Sequence, residues 1–172
     1  MKKIILLLIL VLQLFVFAGC GKDLESIRIG DKYIFDIQSE DYYIFFYKDG
    51  CSGCELTKPI ILDYVKNGEK SLYAVNLHPE GEDESYIFRK FTQGGTGQGT
   101  NGDFYVDGAT SWNELYIGAT PSLIQVKVVE ETVKVYNKET NAYEYVTKTS
   151  KKAYFVASGS DAIEAYFDGL NK

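Results

Sequence analysis

Apolar side chains fall along this chain in rhythms that mark out strands and helices. Ile27 and Ile29, then Tyr33, Phe35 and Ile37, alternate with polar neighbours around Gly30-Asp31, which predicts a strand or hairpin over 27–37. The run YYIFFY at 42–47 is continuously apolar, as expected for a strand buried on both faces. Lys48-Asp49-Gly50 follows as a turn. From 54 to 66, Leu56, Ile60, Ile61, Tyr64 and Val65 fall at helical spacing, and Asn67-Gly68 is a stop signal. Residues 71–77 (SLYAVNL) predict the next strand, 86–91 and 111–116 short helices, and 94–102, with five glycines, a loop. Residues 122–129 and 132–136 predict an antiparallel pair that 142–149 extends, and 160–170 repeats its apolar positions at helical spacing. No internal repeat and no domain boundary interrupts this order.

The first residues follow different rules. Lys2-Lys3 precede an apolar stretch, Ile4 to Phe17, broken only by Gln13. Such a helix is about 20 Å long, short of a ~30 Å hydrocarbon core, so it fits a cleaved signal sequence better than a permanent span. Its end, Phe17-Ala18-Gly19-Cys20, resembles the lipobox of bacterial lipoproteins, with Phe17 in place of the usual aliphatic residue. That resemblance implies that Cys20 receives a diacylglyceryl group and becomes the first mature residue. Two or more acyl chains would hold the protein at a bilayer. The expected organisation is a lipoprotein signal peptide at 1–19, a lipidated tether at 20–26 and one domain over 27–172. The expected location is the outer face of a bacterial cell membrane.

Composition narrows the partners. Of 172 residues, 45% are hydrophobic and 24% charged, which excludes a mostly disordered chain. A formal charge of −6 disfavours nucleic acid, whose phosphates attract basic patches. The three cysteines become informative once the chain is read as exported, where disulfides persist. Lipidation accounts for Cys20 and leaves one pair, Cys51 and Cys54.

That pair is the chemical centre. A strand, a tight turn and Cys-x-x-Cys opening a helix place a sulfur at unpaired backbone N–H groups and the positive end of the helix dipole. Such settings commonly lower a thiol pKa from about 8.5 into the range 3.5–7.5. Ser52 and Gly53 are small enough to leave the first sulfur accessible. The arrangement resembles the thioredoxin superfamily over roughly residues 42–170. Pro59, five residues after Cys54, stands where that family kinks its helix, and Gly118-Ala119-Thr120-Pro121-Ser122-Leu123 resembles its cis-proline loop. Among members, the chain is most similar to thioredoxin-like lipoproteins, including those described as bacteriocin-transport accessory proteins.

The resemblance implies an α/β, thioredoxin-like fold: a central mixed sheet flanked by helices, with the Gly-rich loop inserted before the cis-proline loop. It implies a thiol–disulfide oxidoreductase with Cys51 as nucleophile and Cys54 as resolving thiol. Thr120 and Pro121, with Gly50, Ser52 and Gly53, would contact the substrate. Partners would be protein or peptide thiols and disulfides, a separate redox partner, and the membrane through the anchor; no cofactor is expected. The chain also departs from the family. Gly50 replaces a frequent aromatic, Phe45 stands where cytoplasmic members bury an acid, and little room remains between 37 and 42 for a first helix. These departures leave the direction of electron flow open.

Competing readings are plainer. The alternative is a non-catalytic thioredoxin-like accessory or binding module of a secretion or bacteriocin-export system, with Cys51–Cys54 as a structural disulfide. A four-residue ring gives such a bond little entropic value. Isomerase activity ranks third, since no added dimerisation domain fits. A closed zinc site needs two further ligands, and the single histidine, His78, reads as an exposed loop residue, so no metal is expected. Gly97-Gln98-Gly99-Thr100-Asn101-Gly102 matches GxGxxG but lacks the strand and helix that a dinucleotide site requires. Trp112 is expected to be buried under the Gly-rich loop or near Pro121, and Tyr136, Tyr143 and Tyr145 to pack on a sheet.

Overall fold

A computed structural model describes residues 23–88 and 104–170. The aromatic run forms strand β1, Asp41–Tyr47, in the middle of a mixed sheet. On one side it pairs in parallel with β2, Ser71–Asn76. On the other it pairs antiparallel with a long strand, Ser122–Asn137, which in turn pairs antiparallel with Ala142–Ser158. Two short strands, β3 (Phe104–Tyr105) and β4 (Tyr116–Ile117), pair separately and precede these two, which are therefore β5 and β6. The four-stranded order is β2-β1-β5-β6. Helices α1, Ser52–Asn67, and α2, Ser160–Leu170, flank this sheet.

Period-two alternation divides the core. Tyr43, Phe45 and Tyr47 point to the helix side, into a cluster with Cys54, Ile61, Leu72, Leu123, Ile163 and Phe167. Tyr42, Ile44 and Phe46 point the other way, against Ile34, Ile87, Leu115, Ile117 and Ile124. Both helices thus cover one face. Among the described residues the opposite face is covered by 3-10 turns, irregular chain and the β3–β4 pair.

Four expectations need correction. Residues 27–37 form no strand: 3-10 turns occupy Leu24–Ile27 and Asp31–Tyr33, and only Arg28 makes a bridge, to Ala74. The Asp23 carboxylate accepts from the Leu24 N–H and starts the first turn. The core residue here is Ile34, fully buried, whereas Tyr33 is 63% exposed. Residues 122–137 form one strand rather than two, because Glu130-Glu131 lie where both sheet faces meet water and need not break it. The reversal instead falls at 138–141, where Asn137 Oδ1 accepts from the N–H groups of Glu139 (2.9 Å) and Thr140 (3.3 Å). No helix begins at Tyr86: the chain turns there and Phe88 bridges to Ile117, while 89–91 lie outside the described residues. Finally, Tyr136, Tyr143 and Tyr145 are not packed into a sheet core but are 44%, 64% and 73% exposed.

Those tyrosines belong to a two-stranded ribbon. Lys127, opposite Asp41, is the last β5 residue in register with β1, and the Val128 N–H still donates to the Glu40 carbonyl at 2.8 Å; from Val129 on, β5 pairs with β6. At about 3.3 Å per residue the nine residues from 129 to 137 reach roughly 30 Å past the sheet. Tyr136 and Tyr143 meet edge to face (5.2 Å) and Lys134 lies over the Tyr143 ring (4.5 Å). Because these contacts stay within the ribbon, replacing residues 132–147 by an Asn-Gly hairpin turn should leave the body intact. The expected change is below about 1 kcal/mol in urea unfolding, with unchanged near-ultraviolet dichroism from the remaining core.

Candidate redox site

Cys51 and Cys54 meet where β1 hands over to α1. The turn before them needs Gly50, whose φ of +68° is a conformation that side chains disfavour. Asp49 fastens this turn from outside, its carboxylate accepting the Glu80 N–H at 2.7 Å. Cys51 then caps α1: its Sγ accepts the Cys54 N–H at 3.1 Å, as an oxygen would in an ordinary N-cap. The two sulfurs are bonded as a disulfide, with Cα atoms 5.2 Å apart. Residues three apart at a helix start can close this ring without disturbing the helix.

The Thr120–Pro121 loop lies against the pair. Its peptide bond is cis. The Thr120 carbonyl oxygen and hydroxyl oxygen each lie 3.6 Å from Cys51 Sγ. In the disulfide only the hydroxyl can donate to that sulfur; in the dithiol the Cys51 thiol could donate to the carbonyl. Gly53 is where it is for space, since a Cβ there would stand 3.0 Å from Pro121 Cδ. Ser52 is exposed at the first position of the helix. The structure therefore brings Gly50, Cys51, Ser52, Gly53, Cys54, Thr120 and Pro121 to one end of the sheet.

Exposure differs between the sulfurs. Cys51 retains 9% of its surface, and Cys54 retains 2% within the helix-side cluster that includes Phe45. Negative charge on Sγ of Cys51 would be met by the Cys54 N–H and the start of the α1 dipole. An attacking reagent therefore reaches Cys51 first.

Supporting residues came from no motif. Thr57, fully buried, donates its hydroxyl to the Gly53 carbonyl at 2.8 Å and tightens the first turn beneath the cysteines. Lys58, one residue on, pairs with Asp23 at 3.1 Å and binds the incoming N-terminal segment to α1. The Lys58 ammonium and the Leu24 N–H hold the Asp23 carboxyl below the usual carboxylate range. A threonine one helical turn after a glycine is a faint signal, and the Lys58–Asp23 pair spans too much sequence to be anticipated.

Other anticipated features lie elsewhere. Cys20 and the GxGxxG stretch fall outside the described residues. His78 is exposed and 3.7 Å from Glu84. Trp112 is half-buried rather than buried, edge-on to Tyr86 and under Lys32. Among the described residues no three His, Cys, Asp or Glu side chains could hold a metal ion, and no helix is long and apolar enough to cross a membrane. No protein-family profile, curated protein or solved structure matches the chain.

Proposed function

We propose that this chain is a thioredoxin-like thiol–disulfide oxidoreductase, lipid-anchored through Cys20 on the outer face of a bacterial membrane. The observation that carries the reading is the seating of Cys51 Sγ as the cap of α1, on the Cys54 N–H and against the Thr120–Pro121 loop. With the pair reduced, the Cys51 thiolate attacks a substrate disulfide. A bond forms between Sγ of Cys51 and one substrate sulfur, and the other leaves as thiolate. Cys54, as thiolate, then attacks Sγ of Cys51, restoring the internal disulfide and releasing the second substrate thiolate. Two electrons and two protons pass to the substrate, and a separate dithiol partner must return them. Run backwards, the same steps oxidise a substrate dithiol. Thr120 offers its backbone to an extended substrate segment, and Gly50 and Gly53 keep the approach open.

Burial favours a second reading. At 9% and 2% exposure, the cysteines could form a permanent disulfide in a binding module of a secretion system. The reduction potential separates the two. A catalytic pair should equilibrate with thiol buffers between roughly −270 and −120 mV, whereas a structural one lies below about −300 mV. Cys54→Ala should trap Cys51 in mixed disulfides in producing cells, visible as adducts that vanish on reduction and are absent when Cys51 is also replaced by serine. A potential below about −300 mV together with no adducts would establish the binding module instead.

A further inference from the structure

The chain reaches the cysteine pair from its N-terminal side with no slack. Asp23 lies against the second turn of α1, its carboxylate 3.1 Å from the Lys58 ammonium. Leu24, only 5% exposed, inserts into the helix-side cluster that holds Cys51 and Cys54. The Ser26 hydroxyl donates to the Asp23 carbonyl at 2.7 Å, and the Tyr47 hydroxyl to the Glu25 carboxylate at 3.3 Å. The Ile29 N–H donates to the Ala74 carbonyl at 2.8 Å. Residues 23–29 are therefore part of the body and not a linker.

These contacts fix which end of the sheet carries the attachment. Tyr47 closes β1 just before the turn that leads to Cys51. Lys58 follows Cys51 by two helical turns, about 10 Å along the axis. With the reach of a lysine side chain added, Asp23 stands within roughly 20 Å of the sulfurs. Between Cys20 and Asp23 there are only Gly21 and Lys22. Three Cα–Cα steps span at most about 11 Å. With Cys20 acylated in a bilayer, the cysteine end of the sheet is thus held within roughly 30 Å of the headgroups. Charge does not supply this nearness, because a chain of net charge −6 is not attracted to anionic headgroups.

We infer that the substrates of Cys51 are cysteines borne close to a bilayer surface, on membrane-embedded or lipidated polypeptides, and not those of freely diffusing proteins. The inference rests on the lipid-anchored oxidoreductase reading and deepens it. A short tether confines the reactive sulfur to a thin layer, where its effective concentration toward a membrane-borne partner is high. A disulfide held far above the bilayer lies beyond its span, and a longer tether would only dilute the site. The burial of Leu24 is what denies the domain that longer tether, since freeing residues 23–29 would expose an apolar side chain from the core.

The lipidated full chain, reduced and reconstituted into phosphatidylcholine vesicles, tests this against a headgroup disulfide, a phosphatidylethanolamine whose amine carries a pyridyldithiopropionyl group. Attack by the Cys51 thiolate forms a bond from its Sγ to the lipid-borne sulfur, breaks the S–S bond and releases pyridine-2-thione, read by absorbance. The soluble reference is 2,2′-dithiodipyridine. The variant carries four Glu-Ala-Ala-Ala-Lys repeats between Lys22 and Asp23, a helical spacer about 30 Å long. The parent should react about tenfold faster than the variant with the headgroup disulfide, and at the same rate with the soluble one. Equal rates on the headgroup disulfide, or a parent that attacks only the soluble reagent, overturn the inference and leave the oxidoreductase standing. A parent inert to both reagents, or a mass showing no diacylglyceryl group on Cys20, overturns the proposed function and the inference with it. If the variant no longer reacts with the soluble reagent, a flexible Gly-Ser insert of about thirty residues at the same place decides. A slower headgroup reaction then supports the inference, and an unchanged one overturns it.

Discussion

Truncating Phe45 to alanine should cost about 3–5 kcal/mol of unfolding free energy, a large part of the 5–15 kcal/mol typical of a single domain. Phe45 is fully buried, paired with Ala74 on one side and Leu123 on the other. Its ring is stacked on Tyr47 at 6.0 Å and shares a cluster with Cys54, Ile61 and Ile163. Pairing on both sides keeps β1 from shifting inward, so most of the vacated volume should persist as a cavity. Urea unfolding followed by dichroism measures the loss, with an unchanged slope showing that the same surface is exposed. Leu56→Ala, on the 69%-exposed face of α1, should change stability by less than about 0.5 kcal/mol. A Phe45 loss below about 1 kcal/mol would mean that the strand is not the centre of the fold.

Why that strand was legible, and much else was not, follows from where each residue gets its instructions. The YYIFFY run is apolar on every position because two faces of a central sheet must be filled, and no exposed element tolerates it. The helix after the cysteines carries its own cap, periodicity and Asn-Gly ending, all local. Residues 27–37 mislead because Tyr33, Phe35 and Ile37 imitate alternation. What decides their conformation is remote: Ile34 inserts beneath the sheet, the Tyr42 hydroxyl donates to its carbonyl at 2.6 Å, and Lys151 caps the Phe35 and Ile37 carbonyls. The ribbon misleads for the opposite reason. Without a core face to obey, 128–137 need no strict pattern, and Glu130-Glu131 imitate a break in a strand that continues through them. At the candidate site the cysteines and Thr120-Pro121 could be singled out in sequence. Their meeting across 69 residues, with Cys51 Sγ 3.6 Å from Thr120, belongs to β1 and β5 pairing side by side.

The phenols that fill this core should make the protein fail in alkali. Burial, the largest cause, pushes the Tyr47 hydroxyl up to about 12, with the Glu25 carboxylate adding to it, and holds Tyr42 and Tyr43 higher still. Tyr42 and Tyr47 also have donor roles that their anions cannot fill. Tyr42 donates to the Ile34 carbonyl, Tyr47 donates to Glu25 at 3.3 Å, and Tyr43 shares a hydrogen bond with Tyr166 at 2.8 Å. In the unfolded chain tyrosine ionises near pH 10. Above that pH the unfolded state binds fewer protons than the folded one, so stability is intact below about pH 10 and falls as pH rises toward the native values. Each buried phenol then costs about 1.4 kcal/mol per pH unit, so three together should remove roughly 4 kcal/mol by pH 11. Lys70, raised by its hydrogen bond to Asp41, shifts the balance the same way above its own ordinary range. Urea midpoints at pH 9, 10 and 11, with phenolate absorbance near 295 nm, should therefore fall steeply in the last step. Tyr42, Tyr43 and Tyr47 should ionise only together with unfolding. A midpoint independent of pH up to 11, or smooth titration of all 14 tyrosines near pH 10, would contradict the packing of the aromatic core.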